Sequence, residues 1–278
     1  MQLIALKKYN FLLLLFFFSY YLNAQLCPTN TNTAVFFEDF GSGTALYGPA
    51  LSAGLTNYPY VSGPPPNGSY VISSSSDPSG VTSYAGDYIQ HVGDHTGNPN
   101  GYMMVINADY APSTVYTRHV TGLVPNTTYV FSAYLSNNDD PTVNTIVCAG
   151  SYIYANVKFQ IEYPPGTVVN SVSSGNLPLS SSISLLNCHQ YGFVFTTTAT
   201  QTSVDIVMIN NAPGGCGNDY TVDDISLAIC CTNFITNTTR DTTICSSSSV
   251  LLSSVAASSY TWSTGSNNQS ITINRVGT

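Results

Sequence analysis

The groups with chemistry to offer in this 278-residue sequence are 14 carboxylates, 4 histidines and 7 cysteines, in a chain of which only 7% is charged. An ordinary soluble protein carries about 25% charged residues, so the placement of each acid is informative. Two adjacent pairs stand out: Glu38 and Asp39 early in the chain, and Asp223 and Asp224 just before Cys230. Brought together, such acids repel one another and their pKa values rise unless a cation neutralises them. Hard oxygen donors of this kind suit Ca²⁺, which accepts carboxylates and carbonyls in a flexible geometry. Asp94, in an Asp-His-Thr turn, offers one more carboxylate. The expected ligands are Glu38, Asp94 and one of Asp223 and Asp224, around a structural ion that performs no chemistry. The competing reading leaves the acids in solvent at strand ends. Because neighbours in a strand alternate faces, which member of each pair points inward stays open.

The remaining candidates argue against catalysis. His91 and His95 are four apart, a spacing that shares one helix face, but Gly93, Gly97 and Pro99 oppose a helix there, so these residues and His119 read as turn or surface groups. No Gly-x-Ser-x-Gly elbow, His-Glu-x-x-His pair or phosphate loop occurs. No cysteine sits in a nucleophile motif, and the only glutamates, Glu38 and Glu162, lack the flanking motif of a glycosidase pair. The chain therefore reads as a non-enzyme. Its cysteines read as disulfides: Cys27 with Cys230 or Cys231 would tie the ends of one domain, and Cys148, Cys188 and Cys216 offer a second bond, leaving one thiol unmatched. Of the 20 tyrosines, Tyr58, Tyr60, Tyr84 and Tyr88 lie in long early loops and are the candidate ring faces for stacking on sugars, with loop packing as the alternative. Tyr129, Tyr163 and Tyr191 fall in strands and read as core or cross-strand residues.

Positioning these groups falls to an all-β architecture. Residues 1–24 show Lys7 and Lys8, an apolar run over 11–18 and Ala24, the order of a cleavable secretory signal. That run is shorter than the roughly 20 residues needed to span a bilayer, and no second long apolar stretch follows, so the mature chain is expected to lack a membrane span. Strands are expected over 35–40, 101–107, 114–120, 128–136, 156–163, 190–197, 203–210 and 220–229, separated by turn formers. Eight such strands suit a jelly roll, placed at 25–231. A polar linker at 232–240 leads to a second unit at 241–278, with strands over 250–254, 260–262 and 270–273 and the only tryptophan, Trp262, as an Ig-type core residue. An Ig domain needs about 100 residues, so this unit reads as incomplete and the chain as a fragment.

Several segments carry a resemblance. QYGFVFTTTATQTSVDIVMINNAPGGCGNDYTVDDISLAIC (190–230) ends in the Asp-Asp-Ile-x-Leu strand of jelly rolls that resemble carbohydrate-binding modules and extracellular MAM adhesion domains. FFEDF (36–40) looks like their first strand, GDHTGNPNGYMMVINA (93–108) is similar to their Asp-His-Thr turn, and GLVPNTTYVFSAYLSN (122–137) resembles a strand opening common among them. The segment from Asp241 looks like the Ig-like repeats of large Bacteroidetes surface proteins of the gliding-motility type, often exported by type IX secretion, although the sorting domain of that family is not in this sequence. The resemblance implies a galactose-binding-like sandwich, a structural ion beside the first and last strands, and a binding or adhesion role at the outer cell surface or in the medium. Expected partners are carbohydrate or a cell-surface or matrix protein; the accessory region of a secreted polysaccharide-degrading enzyme is the alternative setting. A formal net charge of -8 excludes phosphate-backbone binding, which needs the opposite sign.

Overall fold

The computed structural model describes residues 33–79, 88–89, 91–140, 142, 148–181, 186–230, 249–253, 262 and 264–273. The signal segment, Cys27, Tyr84, Cys231 and the linker named above lie outside the described residues. Among the described residues of the first unit are ten strands: β1 (Thr33–Glu38), β2 (Ser69–Ser73), β3 (Met103–Asn107), β4 (Ser113–Thr121), β5 (Thr128–Asn137), β6 (Asn156–Glu162), β7 (Val168–Asn176), β8 (His189–Thr196), β9 (Ser203–Asn210) and β10 (Tyr220–Ile229). They form two antiparallel sheets, one ordered β2-β3-β10-β5-β8 with β1 added beside β10, the other β4-β9-β6-β7. Strands 3, 10, 5 and 8 facing strands 4, 9, 6 and 7 is the strand order of a jelly roll. Eight of the ten strands coincide closely with the expected ones.

The other two escaped the sequence for opposite reasons. β2 is a five-residue run with every residue buried, hidden among the prolines, serines and glycines that flank it. β7, an edge strand of Val, Ser, Asn and Gly, is exposed along most of its length, so it has no buried face to impose a period on its side chains.

The core lies between the sheets. Along β9, Val204, Ile206 and Met208 point inward, meeting Phe131 and Leu135 of β5, Phe159 and Ile161 of β6, and Val222, Ile225 and Leu227 of β10. Each such fully buried side chain contributes about 1.5–3 kcal/mol. Tyr129 is fully buried in the same core and accepts the Val124 N–H through its hydroxyl at 2.8 Å, as expected of a strand tyrosine.

At one end of the sandwich, Cys148 and Cys216 are disulfide-bonded, their Cα atoms 5.5 Å apart, which ties the β5–β6 loop to the β9–β10 loop. Their separation of 68 residues makes the crosslink worth about 4 kcal/mol in the chain-entropy account. Cys230 is disulfide-bonded too. Cys188, grouped above with the bonded cysteines, is a free thiol. It packs beside Ile89, Met103 and Leu186 in a small second apolar cluster, apart from the loops that hold Cys148 and Cys216. Burial, reinforced by the charges of Asp223 and Asp94, pushes its pKa up to about 12.

The second unit shows one antiparallel pair, β11 (Val250–Ser253) and β12 (Ser270–Ile273). Trp262 is half-buried, and its indole N–H donates to the Asn268 carbonyl at 2.6 Å. It thereby braces the turn that leads into β12. Among the described residues no helix is long and apolar enough to cross a membrane.

Candidate functional site

Two places concentrate functional chemistry, and the first is a break in β10. β5 lines one edge of β10 from Tyr220 to Ile229. The opposite edge is shared: β3 pairs with Tyr220–Val222, and β1 pairs with the stretch from Ile225 to Ile229. At the changeover the β5 register shifts between Asp223 and Ser226, the mark of a bulge, where two residues oppose one. Asp224 adopts φ 45° there, a left-handed conformation that Asp reaches more readily than most residues. The extra residue keeps Val222 and Ile225 both in the core and leaves both Asp223 and Asp224 on the outer side.

The gap is filled by the 93–101 turn. Asp94 shapes it by accepting from the Thr96 N–H at 2.9 Å, the Thr96 hydroxyl at 2.6 Å and the Asn98 N–H at 3.0 Å. Gly101 is required because a Cβ there would lie 1.9 Å from Asp94 Oδ2. The turn delivers His95, whose backbone N–H and ring Nδ1 both meet Asp223 Oδ2, at 3.1 and 2.9 Å. The imidazole stacks on Tyr134 with ring centres 3.8 Å apart, and Tyr134 is the cross-strand neighbour of Asp223. Its Nε2 lies 3.6 Å from Asp224 Oδ2.

Electrostatics follow from this packing. Burial disfavours a charged imidazole, but the hydrogen bond and charge of Asp223, then Asp224 and Asp94, outweigh it and raise the His95 pKa above its ordinary value. Burial and the adjacent Asp223 push the Asp224 carboxyl up to about 6; Asp39 and Asp94 add to the push, and His95 opposes it. The only Lys or Arg residues between 25 and 231 are Arg118 and Lys158, and both belong to the other sheet, on β4 and β6.

His95, Asp223 and Asp224 are the group among the described residues whose donor atoms all lie within 4.8 Å of one another. The metal expectation thus changes in membership. Glu38 is not of the group: it lies on the same side of β1 as Phe36, which packs against the core. Its charge acts on Tyr116, whose phenol is raised by burial first and then by Glu38. The acid of that pair within electrostatic reach of Asp224 is Asp39. Asp94 is nearby, but its Oδ1 is spent on its own turn. Ca²⁺ takes six to eight oxygen ligands, whereas two carboxylates and an imidazole converge here. Sequence reading set His95 aside as a turn residue. The available signal was the Asp-His-Thr turn itself, which carries His95 next to Asp94.

The second place is the disulfide-tied loop end. The Pro213–Gly217 loop lies between two tyrosine segments. A Cβ on Gly214 would sit 2.1 Å from Tyr110 Cα, and one on Gly217 would sit 2.3 Å from the Tyr152 ring. Tyr110 is 64% exposed, with its hydroxyl accepting from Asn67 Nδ2 at 2.8 Å. Tyr154 is 38% exposed and stands edge-on to Tyr152 at 4.8 Å. Tyr152 is anchored, donating to Asp139 Oδ2 at 2.7 Å and accepting from Asn137 Nδ2 at 2.8 Å.

By contrast, three of the four tyrosines expected to stack on sugars, Tyr58, Tyr60 and Tyr88, are structural, and Tyr84 lies outside the described residues. Tyr58 and Tyr88 are buried. The Tyr58 hydroxyl accepts the Asp109 N–H at 3.1 Å, and that of Tyr88 accepts from Asn107 Nδ2 at 3.3 Å. Tyr60 is half-buried, packs edge-on against Tyr70 and donates to the Gly48 carbonyl at 2.7 Å. Packing of the described parts of the early loop consumes these rings, whereas Tyr110 and Tyr154 lie in the β3–β4 and β5–β6 loops with their rings exposed.

No protein-family model matches the chain, and no curated protein matches it. Among solved structures, the chain is similar to a cyclase from Fischerella sp. TAU in complex with an indole compound, at 10% identity and TM-score 0.37, covering 58% of this chain and 74% of that one. It is similar to a carbohydrate-binding module of class 4 at 16% identity and TM-score 0.29, covering 46% and 74%. A class 61 module in complex with beta-1,4-galactotriose matches at 12% identity and TM-score 0.27, covering 45% and 69%. At such values the likeness carries no argument about activity or ligand; the jelly roll is established by the strand order of this chain.

Proposed function

We infer that this chain is an exported, non-enzymatic binding protein that recognises carbohydrate at the disulfide-tied loop end of its jelly roll. The observation that carries this reading is the pair of exposed rings, Tyr110 and Tyr154, on loops that flank one glycine-rich segment held by Cys148–Cys216. A sugar ring offers apolar C–H faces and equatorial hydroxyls. Exposed tyrosines meet the first by stacking and leave a hydroxyl for the second, and the crosslink keeps the rings in place before the ligand arrives, lowering the ordering cost of binding. Export is supported by the disulfide and by the order of charged, apolar and small residues over 1–24. The same site serves a surface adhesin or the accessory region of a polysaccharide-degrading enzyme.

The test is calorimetry of the mature chain against the oligosaccharides it retains on a glycan array. Tyr110→Ala and Tyr154→Ala are each expected to weaken binding at least tenfold, with melting temperatures within about 2 °C of the parent because both rings are exposed. Array signals that survive both substitutions, or an array without signal, would overturn the reading.

A further inference from the structure

The unused chemistry of the molecule is concentrated at the β10 bulge, and its geometry is that of a metal ligand already oriented. His95 is fixed at three points: its backbone N–H on Asp223, its Nδ1 on the same carboxylate oxygen, and its ring face on Tyr134. A histidine whose one nitrogen donates to a carboxylate presents the lone pair of the other, which is how metal-binding imidazoles are held in place. Here Nε2 makes no hydrogen bond among the described residues, and it faces Asp224 Oδ2 at 3.6 Å. That distance is too long for a hydrogen bond. It is close to the edge of about 3.3 Å between two ligands each about 2.0–2.1 Å from one tetrahedral ion.

We propose that His95 Nε2 and Asp224 are ligands of a single divalent transition-metal ion of the zinc class, with Asp223 as the residue that positions the imidazole. An imidazole nitrogen beside carboxylate selects zinc-like ions over Ca²⁺, which prefers an all-oxygen cage. The surroundings favour any cation: Asp39 and Asp94 lie within electrostatic reach of Asp224, and the sheet that carries the bulge holds no Lys or Arg. The site is open to ions from solvent, since the side chains of His95 and Asp224 keep 11% and 20% of their exposure. Binding there joins the 93–101 turn to the last strand and draws together segments 128 residues apart.

The experiment uses the untagged mature chain freed of metal with chelator, on a Cys188→Ser background that removes the nearby thiol as a competing ligand. Zn²⁺ is expected to bind at one per chain with micromolar or tighter affinity, to raise the melting temperature by several degrees, and to outcompete Ca²⁺. His95→Gln and Asp224→Asn should each weaken Zn²⁺ at least tenfold. Asp223→Asn should weaken it about 10–100-fold through lost orientation. Histidine-selective ¹⁵N NMR of the chain with all four histidines intact gives a readout independent of how variants fold: Zn²⁺ should move Nε2 of His95 and leave His91, His119 and His189 in place. Zn²⁺ affinity indifferent to His95→Gln, an unmoved His95 signal, or stabilisation by Ca²⁺ alone would each overturn the proposal.

Discussion

Among the described residues, two His–Asp pairs of nearly identical chemistry stand in opposite settings. On the four-stranded sheet, His119 and Asp205 are direct cross-strand neighbours in the regular β4–β9 ladder, with Nδ1 to Oδ1 at 2.5 Å and the imidazole 53% exposed. On the six-stranded sheet, His95 and Asp223 meet at 2.9 Å with side chains only 11% and 3% exposed, where β10 breaks its ladder. The first pair follows from register: two polar residues on the outer face happen to stand opposite one another. The second needs a bulge, a turn from another part of the chain and a tyrosine beneath it. An exposed pair is worth little because solvent screens it; the buried one is structural, because any partner left behind stays desolvated.

The sharpest way to break this comparison is by deletion. Removing Asp205 shifts the rest of β9 by one residue, turning Ile206 and Met208 away from the core they now fill; a one-residue slip moves every following side chain to the other face. That variant is expected to lose its folded circular-dichroism and melting signals. Removing Asp224 takes out the residue that makes the bulge, so Val222 and Ile225 stay inward and the ladder with β5 becomes regular. This second deletion is expected to fold, and loss of structure in it would show that the bulge is needed for more than the site.

Next in size is Asp223→Ala, measured in chelator so that no metal contributes. Three donors lose their acceptor: the His95 N–H and ring, and the Asp224 N–H at 2.9 Å. At about 1–3 kcal/mol for each buried group left unsatisfied, partly offset by removal of one of the crowded acids, we expect a loss of about 3 kcal/mol in urea unfolding. An unchanged midpoint would mean that the turn is held by other contacts. The smallest effect belongs to the mirror experiment. Asp205→Ala is expected to cost at most about 1 kcal/mol, shrinking further in 1 M salt; a loss equal to that of Asp223→Ala would erase the distinction between the two pairs.

What was legible in the sequence was whatever depends on near neighbours. Short β-rich segments between turn formers placed eight of the strands, while the choice of Val204, Ile206 and Met208 as the core face of β9 came from the fold. The scarcity of charge singled out Asp223 and Asp224 as a costly pair, and the cysteine count foretold crosslinking without saying that Cys148 would choose Cys216 and leave Cys188 free. The tertiary structure decided the rest. A strict alternation allows only one member of an adjacent pair on a given face; the bulge puts both Asp223 and Asp224 outward, and no local pattern announces it. Glu38 was drawn to the core side by its place on β1 beside Phe36, and Tyr58, Tyr60 and Tyr88 of the early loop were spent on packing, while Tyr110 and Tyr154 stand exposed. His95 reached its partner across 128 residues because β10 changes neighbours from β3 to β1 at that point, a property of sheet order that a period of two along one strand does not encode.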